Sequence, residues 1–272
     1  MTKDKNKRNV DFFNIPFEER GNSHIEVSDI SPVLVLDYLY ATKSQLAEDF
    51  YSIPFIELLN RMDLVTELDG KQLLKNVAAM MFCKDLTAFF PATQVNLVIY
   101  PGGLNNSSDE IQITKFIGTV PEMIKQTMDF IRTIIIIKQI IKPKDRAESI
   151  TFFNYPYLAV NEALISAFIQ RDYQKNEPIH VAVDSDKISI QYYYNPELFD
   201  VKLNADNGVC YNNSRLGAFL NELGLCDEKY YGISAIQNEL KNNGSDKAQI
   251  MIDRHKGCFA IEIPKRTWNR NN

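Results

Sequence analysis

The sequence lacks most of what metal centres and hydrolases require. Its four cysteines form no C-x-x-C pair, and no histidine lies at ligand spacing from any of them. We therefore expect no zinc site, and we interpret the cysteines as small apolar side chains in a reducing cytoplasm. The three histidines, His24, His180 and His255, lie far apart and near no recognisable nucleophile. This spacing argues against a hydrolase triad.

Long apolar runs and a strong positive charge are also missing. The most apolar run, Ile134 to Ile137, is far shorter than the roughly 20 residues of a membrane-spanning helix, and we expect it to be a buried strand or helix end. No apolar segment follows the basic residues 1–8, which excludes a secretory signal. The net charge of −5 argues against strong direct binding to nucleic acid. We therefore expect a cytoplasmic protein that does not associate with membranes.

In the first half of the chain, the polarity and the spacing of apolar residues change several times. Residues 1–27 are polar and aperiodic, and we interpret them as a partly ordered tail that packs through Phe12, Phe13 and Phe17. From Ser31 to Leu64 the apolar spacing predicts helix. Residues 73–82 are small and apolar, which suits a buried element, and residues 95–100 read as a strand that ends at a Pro-Gly-Gly turn.

The second half alternates helices with hairpins. Thr119 and Glu122 have the spacing of a capping box, and a second helix is predicted to begin near Pro156. Alternating apolar residues predict hairpins around 184–186 and 254–257, with two short helices between them that end near Gly224 and Gly244. This order predicts an α+β fold, a two-layer sandwich of helices on a mixed, mostly antiparallel sheet.

One stretch resembles a known family. Residues 155–173 read YPYLAVNEALISAFIQRDY. They resemble the RecG-like ATPase signature of Y-P, E-A-L-x-N-A and H-R-D-Y, which is that family's version of the N-box of GHKL-type ATPases. Three further segments match motifs of the family in the same order along the chain. Residues 186–190 resemble its D-R-I-E-I strand, residues 212–216 its R-N-P-x-L motif, and residues 232–233 its last glycine loop. With segments 74–91 and 116–119, the likeness spans roughly residues 28–264.

The chain thus resembles the ATP-binding half of bacterial regulators that also carry an AlbA-type (Schlafen-like) DNA-binding domain. We expect it to lack both that domain and the winged helix that often follows. The resemblance divides the chain into the tail (1–27), an N-terminal α+β segment (28–110) and a GHKL-like domain (111–272). It implies a homo-oligomer and a DNA-binding partner protein, with weak or no direct contact with nucleic acid.

The resemblance also implies site residues. Glu162 matches the general base that activates the attacking water, and Ser166 occupies the position of the asparagine that holds Mg²⁺. The implied ligand is ATP or ADP with Mg²⁺. The implied cofactor-binding residues are Ser166, Gln170, Arg171, Asp172, Asn195, Asn213 and Gly232.

The sequence departs from the family at several of these positions. Ser166 is a shorter metal ligand than asparagine, and Gln170 replaces a histidine. Glu197 would repel a phosphate, and Tyr230 and Tyr231 would fill space where the family has glycine. We therefore expect weak or absent ATP hydrolysis, while nucleotide binding stays open and the protein could hold no cofactor at all.

Three hypotheses follow. The first is a regulatory module derived from a nucleotide-binding domain, which senses ATP or ADP weakly or uses the scaffold to hold a partner. The second is an active Mg²⁺-dependent ATPase with Glu162 as base. The third is a non-catalytic interaction protein. In that case Glu162 is an ordinary helical carboxylate, and Arg171 and Asp172 are a helix-end charge pair of little energetic weight.

Overall fold

Helices and strands are interspersed along the chain. The computed structural model describes residues 15–103, 111–142, 148–196, 212–226 and 232–267. The α-helices in these ranges are α1 (Pro32–Ala41), α2 (Leu46–Asp49), α3 (Phe55–Arg61), α4 (Asn76–Phe82), α5 (Val120–Phe130), α6 (Tyr157–Gln170), α7 (Ser214–Glu222) and α8 (Gly232–Asn243). The strands are β1 (Gly21–Asn22), β2 (Val65–Leu68), β3 (Lys71–Lys75), β4 (Val95–Ile99), β5 (Gln112–Phe116), β6 (Lys138–Ile141), β7 (Ile150–Phe153), β8 (Ile179–Val183), β9 (Lys187–Tyr193), β10 (Gln249–Asp253) and β11 (Cys258–Pro264).

The largest sheet has the strand order β10-β11-β9-β8-β4-β5. Its neighbouring strands are antiparallel except for β4 and β8, which are parallel. Helix α6 packs against β9 and β11, so Ile188, Ile190 and Tyr192 of β9 are buried while the residues between them are half-exposed. The sequence prediction of an α+β fold with a mostly antiparallel sheet is confirmed.

The N-terminal elements join this sheet through one continuous core. Strands β1, β3 and β2 form a small antiparallel sheet. Buried apolar side chains from all parts of the described chain, between Ile25 and Ile263 in sequence, contact one another in a single cluster. The division predicted after residue 110 separates β4 from β5, which are paired neighbours in the large sheet.

Residues 15–27 pack against this core along part of their length. Phe17 packs edge-on against Phe90 and stacks parallel to Tyr173, with ring centroids 5.3 and 6.2 Å away. Gly21 and Asn22 pair with β3. The predicted packing of Phe17 is therefore confirmed, while Phe12 and Phe13 lie outside the described residues.

The prediction of helix from Ser31 to Leu64 was too simple. Three helices occupy this span, and the chain leaves helical geometry after α1, where Lys43 has a φ of +54°. The second break precedes Pro54, which caps α3 and disfavours helical geometry in the residue before it. After α3, Asp63 has a φ of +58°, and Leu64 is already outside the helix.

The apolar run at Ile134 to Ile137 is not buried as predicted. It does form a helix end, because α5 continues into a π-helical turn, Ile131–Ile135. However, Ile134 and Ile137 are each 56% exposed. Ile135 and Ile136, between them, are half-buried against the core, so only the middle of the run packs inward. No α-helix within the described ranges is long and apolar enough to cross a bilayer.

Candidate functional site

The predicted site residues begin on helix α6, which is buried over most of its surface. Pro156 precedes its first turn, and buried side chains follow on nearly every face (Ala159, Val160, Ala163, Leu164, Ile165 and Ala167 to Gln170). Glu162 and Ser166 are half-buried and one turn apart, so they share a side of the helix. Both can therefore contact groups that lie beside α6.

Glu162 contacts the start of helix α8. The N–H of Gly232 donates a hydrogen bond of 3.0 Å to Oε1 of Glu162, and α6 packs along α8. Gly232 is the first residue of α8 and has a φ of +49°, a left-handed conformation that favours glycine. A Cβ placed on Gly232 would meet no described atom within 4 Å.

This contact has a clear electrostatic meaning. The first N–H groups of a helix lack partners within the helix, and the helix dipole makes that end attractive to negative charge. For the same reason, helix N-termini bind phosphate groups. The carboxylate of Glu162 therefore lies where an anionic ligand of α8 would be held. The structure brings together two of the predicted site residues, Glu162 and Gly232, with Ser166 one turn further along α6.

The remaining predicted residues of α6 lie at its other end. Gln170 is eight positions after Glu162, a rise of roughly 12 Å along a helix, and it is 4% exposed. Arg171 is 2% exposed; its Nη2 donates to the carbonyl of Glu177 at 2.9 Å, and its guanidinium lies 4.7 Å from the ring centre of Tyr173. Burial lowers the pKa of Arg171. The guanidinium is therefore packed in the protein interior, away from Glu162 along the helix.

Asn213 closes that end of α6. Its Nδ2 donates to the carbonyl oxygens of Ile169 and Arg171, at 2.9 and 3.0 Å. The neighbouring Asn212 donates to the carbonyl of Gln170 at 2.8 Å. The last carbonyl groups of a helix need such donors, so both asparagines have a structural role in this arrangement.

Asp172 and Asn195 lie near the end of β9. The N–H of Asp172 donates to the carbonyl of Tyr193, and its Oδ1 accepts from the N–H of Gln174 at 2.9 Å. Asn195 is half-buried and follows Tyr194, whose N–H donates to the carbonyl of Gly257. Within the described residues, Arg171 and Asp172 form no ion pair. Glu197, Tyr230 and Tyr231, which were predicted to narrow the site, lie outside the described residues.

A buried carboxyl group was missed by the sequence analysis. Glu18 is 0% exposed, and its Oε1 accepts a hydrogen bond of 3.4 Å from the N–H of Arg215, near the start of α7. Burial raises the pKa of Glu18 to about 7, although the backbone hydrogen bonds oppose this shift. No pattern in residues 1–27 signals this contact, because its partner is almost 200 residues away in sequence.

A separate pocket lies between α1, α4 and α5, with a volume of about 200 Å³. Its lining is mainly apolar and includes Tyr38 and Phe82. The hydroxyl of Tyr38 donates a hydrogen bond to Glu222. The predicted site residues do not line this pocket, so it adds nothing to the arrangement around Glu162.

Comparison with known proteins gives one informative result. No protein-family model matches the chain, and no curated protein matches it. The crystal structure of the DIP2311 protein from Corynebacterium diphtheriae is similar, with a TM-score of 0.66 and 16% sequence identity. The match covers 93% of this chain and 48% of that one, so this chain spans about half the length of its structural neighbour. At this level of identity the likeness shows a shared fold alone.

Proposed function

We propose that the protein is a regulatory module derived from a nucleotide-binding domain, with a degenerate ATP or ADP site at the start of α8. The proposal rests on the hydrogen bond from Gly232 to Glu162. In this proposal the protein is cytoplasmic, belongs among relatives of the RecG-like segment of AlbA-type regulators, and acts through a DNA-binding partner.

The geometry favours weak binding. A phosphate at α8 would have to displace the carboxylate of Glu162 and then lie close to a like charge. Gln170, Arg171 and Asn213 are buried in the structure, so few groups remain to grip the ligand. No three carboxylate, histidine or cysteine side chains converge in the described part of the chain. Mg²⁺ would therefore depend on Ser166 and the phosphates themselves.

The test is calorimetric titration with ATP and ADP in the presence of Mg²⁺, on wild type and Glu162→Gln. We expect weak saturable binding to wild type. Binding to Glu162→Gln should be about two- to fivefold tighter, because a charge at a helix N-terminus is worth up to about 1 kcal/mol. Glu48→Gln removes an exposed carboxylate of α2 and should leave the affinity unchanged. Absence of saturable binding to both wild type and Glu162→Gln would contradict the proposal.

The same hydrogen bond favours a second function, that of a non-catalytic interaction protein in which Glu162 only caps α8. In that case Glu162→Gln would lower stability by up to about 1 kcal/mol, and neither protein would bind nucleotide. In both cases we expect no phosphate release above that of Glu162→Ala. Faster release by wild type would instead support an active ATPase.

A further inference from the structure

The hairpin of β6 and β7 stands apart from the two larger sheets. Of its eight strand residues, Phe152 alone is buried, and the guanidinium of Arg266 lies 4.1 Å from the centre of its ring. An isolated two-stranded sheet is marginally stable in water, whereas three strands or docking on another element make it stable. The hairpin is therefore a place where a further strand would add stability.

The outer edge of β7 is already covered. The side chain of Asn243, at the end of α8, forms hydrogen bonds with both backbone groups of Phe153. Its Oδ1 accepts from the N–H of Phe153 at 3.2 Å, and its Nδ2 donates to the carbonyl of Phe153 at 2.8 Å. This side chain takes the place of a neighbouring strand, so the edge that the described residues leave open is that of β6.

The register shows which groups of β6 point outward. The N–H of Asn154 donates to the carbonyl of Ile137, and the next pairs are Lys138 with Phe153 and Ile140 with Thr151. In an antiparallel ladder, bonded and non-bonded pairs alternate, so the N–H and C=O groups of Lys138 and Ile140 point away from β7. No residue of the described chain bonds to these groups.

The side chains beside this edge are apolar and positively charged. Ile140 is 62% exposed, Phe153 is 42% exposed and Ile137 is 56% exposed, while Lys138 and Lys142 are also exposed. Natural edge strands are usually protected by short length, charge or a covering element. Ile140 and Phe153 project from the same face of the hairpin, and exposed apolar side chains beside an open edge are typical of an interaction surface.

We propose that β6 is a docking edge for an extended, acidic segment of a partner protein, which adds to the hairpin as a third strand. Backbone hydrogen bonds would form with Lys138 and Ile140, as in other cases of strand addition. On one face of the partner strand, an apolar side chain would cover Ile140 and the carboxylates on either side of it would pair with Lys138 and Lys142. This surface is independent of nucleotide binding.

The charges favour an acidic segment over a second copy of this chain, which would bring a further Lys138 and Lys142 to the same edge. An antiparallel pairing of two β6 strands centred on Ile140 would place Lys138 of one copy opposite Lys142 of the other, twice. Like charges directly opposite one another destabilise a strand pair. An acidic strand would instead place carboxylates opposite Lys138 and Lys142, and these pairs of opposite charge are favourable.

The test uses the full chain and a capped seven-residue peptide, T-E-T-V-T-E-T, which spans the strand and carries its two glutamates and its valine on one face. The same peptide with lysine in place of both glutamates is the control. Hydrogen exchange of individual amides is followed by NMR, and affinity by fluorescence anisotropy. We expect the acidic peptide to bind and to slow exchange of the Lys138 and Ile140 amides by about tenfold or more. The basic peptide should do neither.

Charge-reversal variants decide whether the site is specific. Lys138→Glu should weaken binding of the acidic peptide about tenfold. The matched variant Lys115→Glu, at an exposed lysine of the other edge strand β5, should leave it unchanged. Equal loss in both variants, or binding without protection of the two amides, would overturn the proposal. So would concentration-dependent protection of these amides without peptide, because a second copy would then occupy the edge.

Discussion

At the C-terminal end of α6, the side chain of Asn213 donates to two buried carbonyl groups, those of Ile169 and Arg171. Removing a donor from buried acceptors costs about 1–3 kcal/mol, because water cannot replace it. We expect Asn213→Ala to lower the free energy of unfolding by this amount, measured by urea denaturation. Asn238→Ala, at an exposed position of α8, should change it little. A loss of nucleotide affinity without a loss of stability would instead favour a ligand-binding role for Asn213.

Glu18 gives the protein a pH-dependent stability. Its pKa in the folded protein is about 7, against an ordinary value of 4.5. The native state therefore holds a proton that the unfolded chain has lost, and between these values stability falls as pH rises. The full effect is on the order of 3 kcal/mol, present below about pH 4.5 and lost above about pH 7.

Denaturation of wild type and Glu18→Gln between pH 4.5 and 8 tests this dependence. Glutamine cannot ionise, so the variant should gain stability relative to wild type as pH rises. The variant Glu48→Gln changes an exposed carboxylate and should follow the wild-type profile. Parallel profiles for wild type and Glu18→Gln would show that Glu18 does not titrate in this range.

At the scale of single elements, helix α5 begins with the capping box predicted from the sequence. The N–H of Glu122 donates to the hydroxyl of Thr119, and the N–H of Thr119 donates to Oε2 of Glu122. Thr119→Ala should destabilise the protein by about 1 kcal/mol, measured as a shift in the urea midpoint. Thr87→Ala, whose hydroxyl bonds to Asp85 at the surface, should cost less than about 0.5 kcal/mol. Equal effects would mean that the cap contributes no stability of its own.

The sequence predicted elements best where the signal is local. The capping box, the alternating hairpins and the helix after Pro156 depend on residues a few positions apart, and they appear as predicted. The exposed Ile134 and the buried Glu18 depend on contacts between distant segments, which periodicity does not encode. The same limit applies to the candidate site. The motif placed Glu162 near Gly232, but only the fold shows that Arg171 and Asn213 belong to the interior.

At the scale of the whole molecule, the N-terminal segment and the large sheet share one core. We expect a single cooperative unfolding transition, observed at the same denaturant concentration by far-UV and near-UV circular dichroism. Phe17→Ala removes ring contacts with Phe90 and Tyr173. It should lower the free energy of unfolding by roughly 2 kcal/mol and leave a single transition. Phe153→Ala, at a more exposed ring, should have a smaller effect. Two separate transitions would indicate independent domains.

The parallel pairing of β4 with β8 also affects how the protein is made. Val95 lies beside Ile179 in the sheet, so more than eighty residues must leave the ribosome before β4 acquires this neighbour. Contacts between such distant segments slow folding because a long loop has to close first. A nascent chain that ends before β8 therefore exposes one side of β4, and synthesis itself becomes the period in which aggregation is most probable.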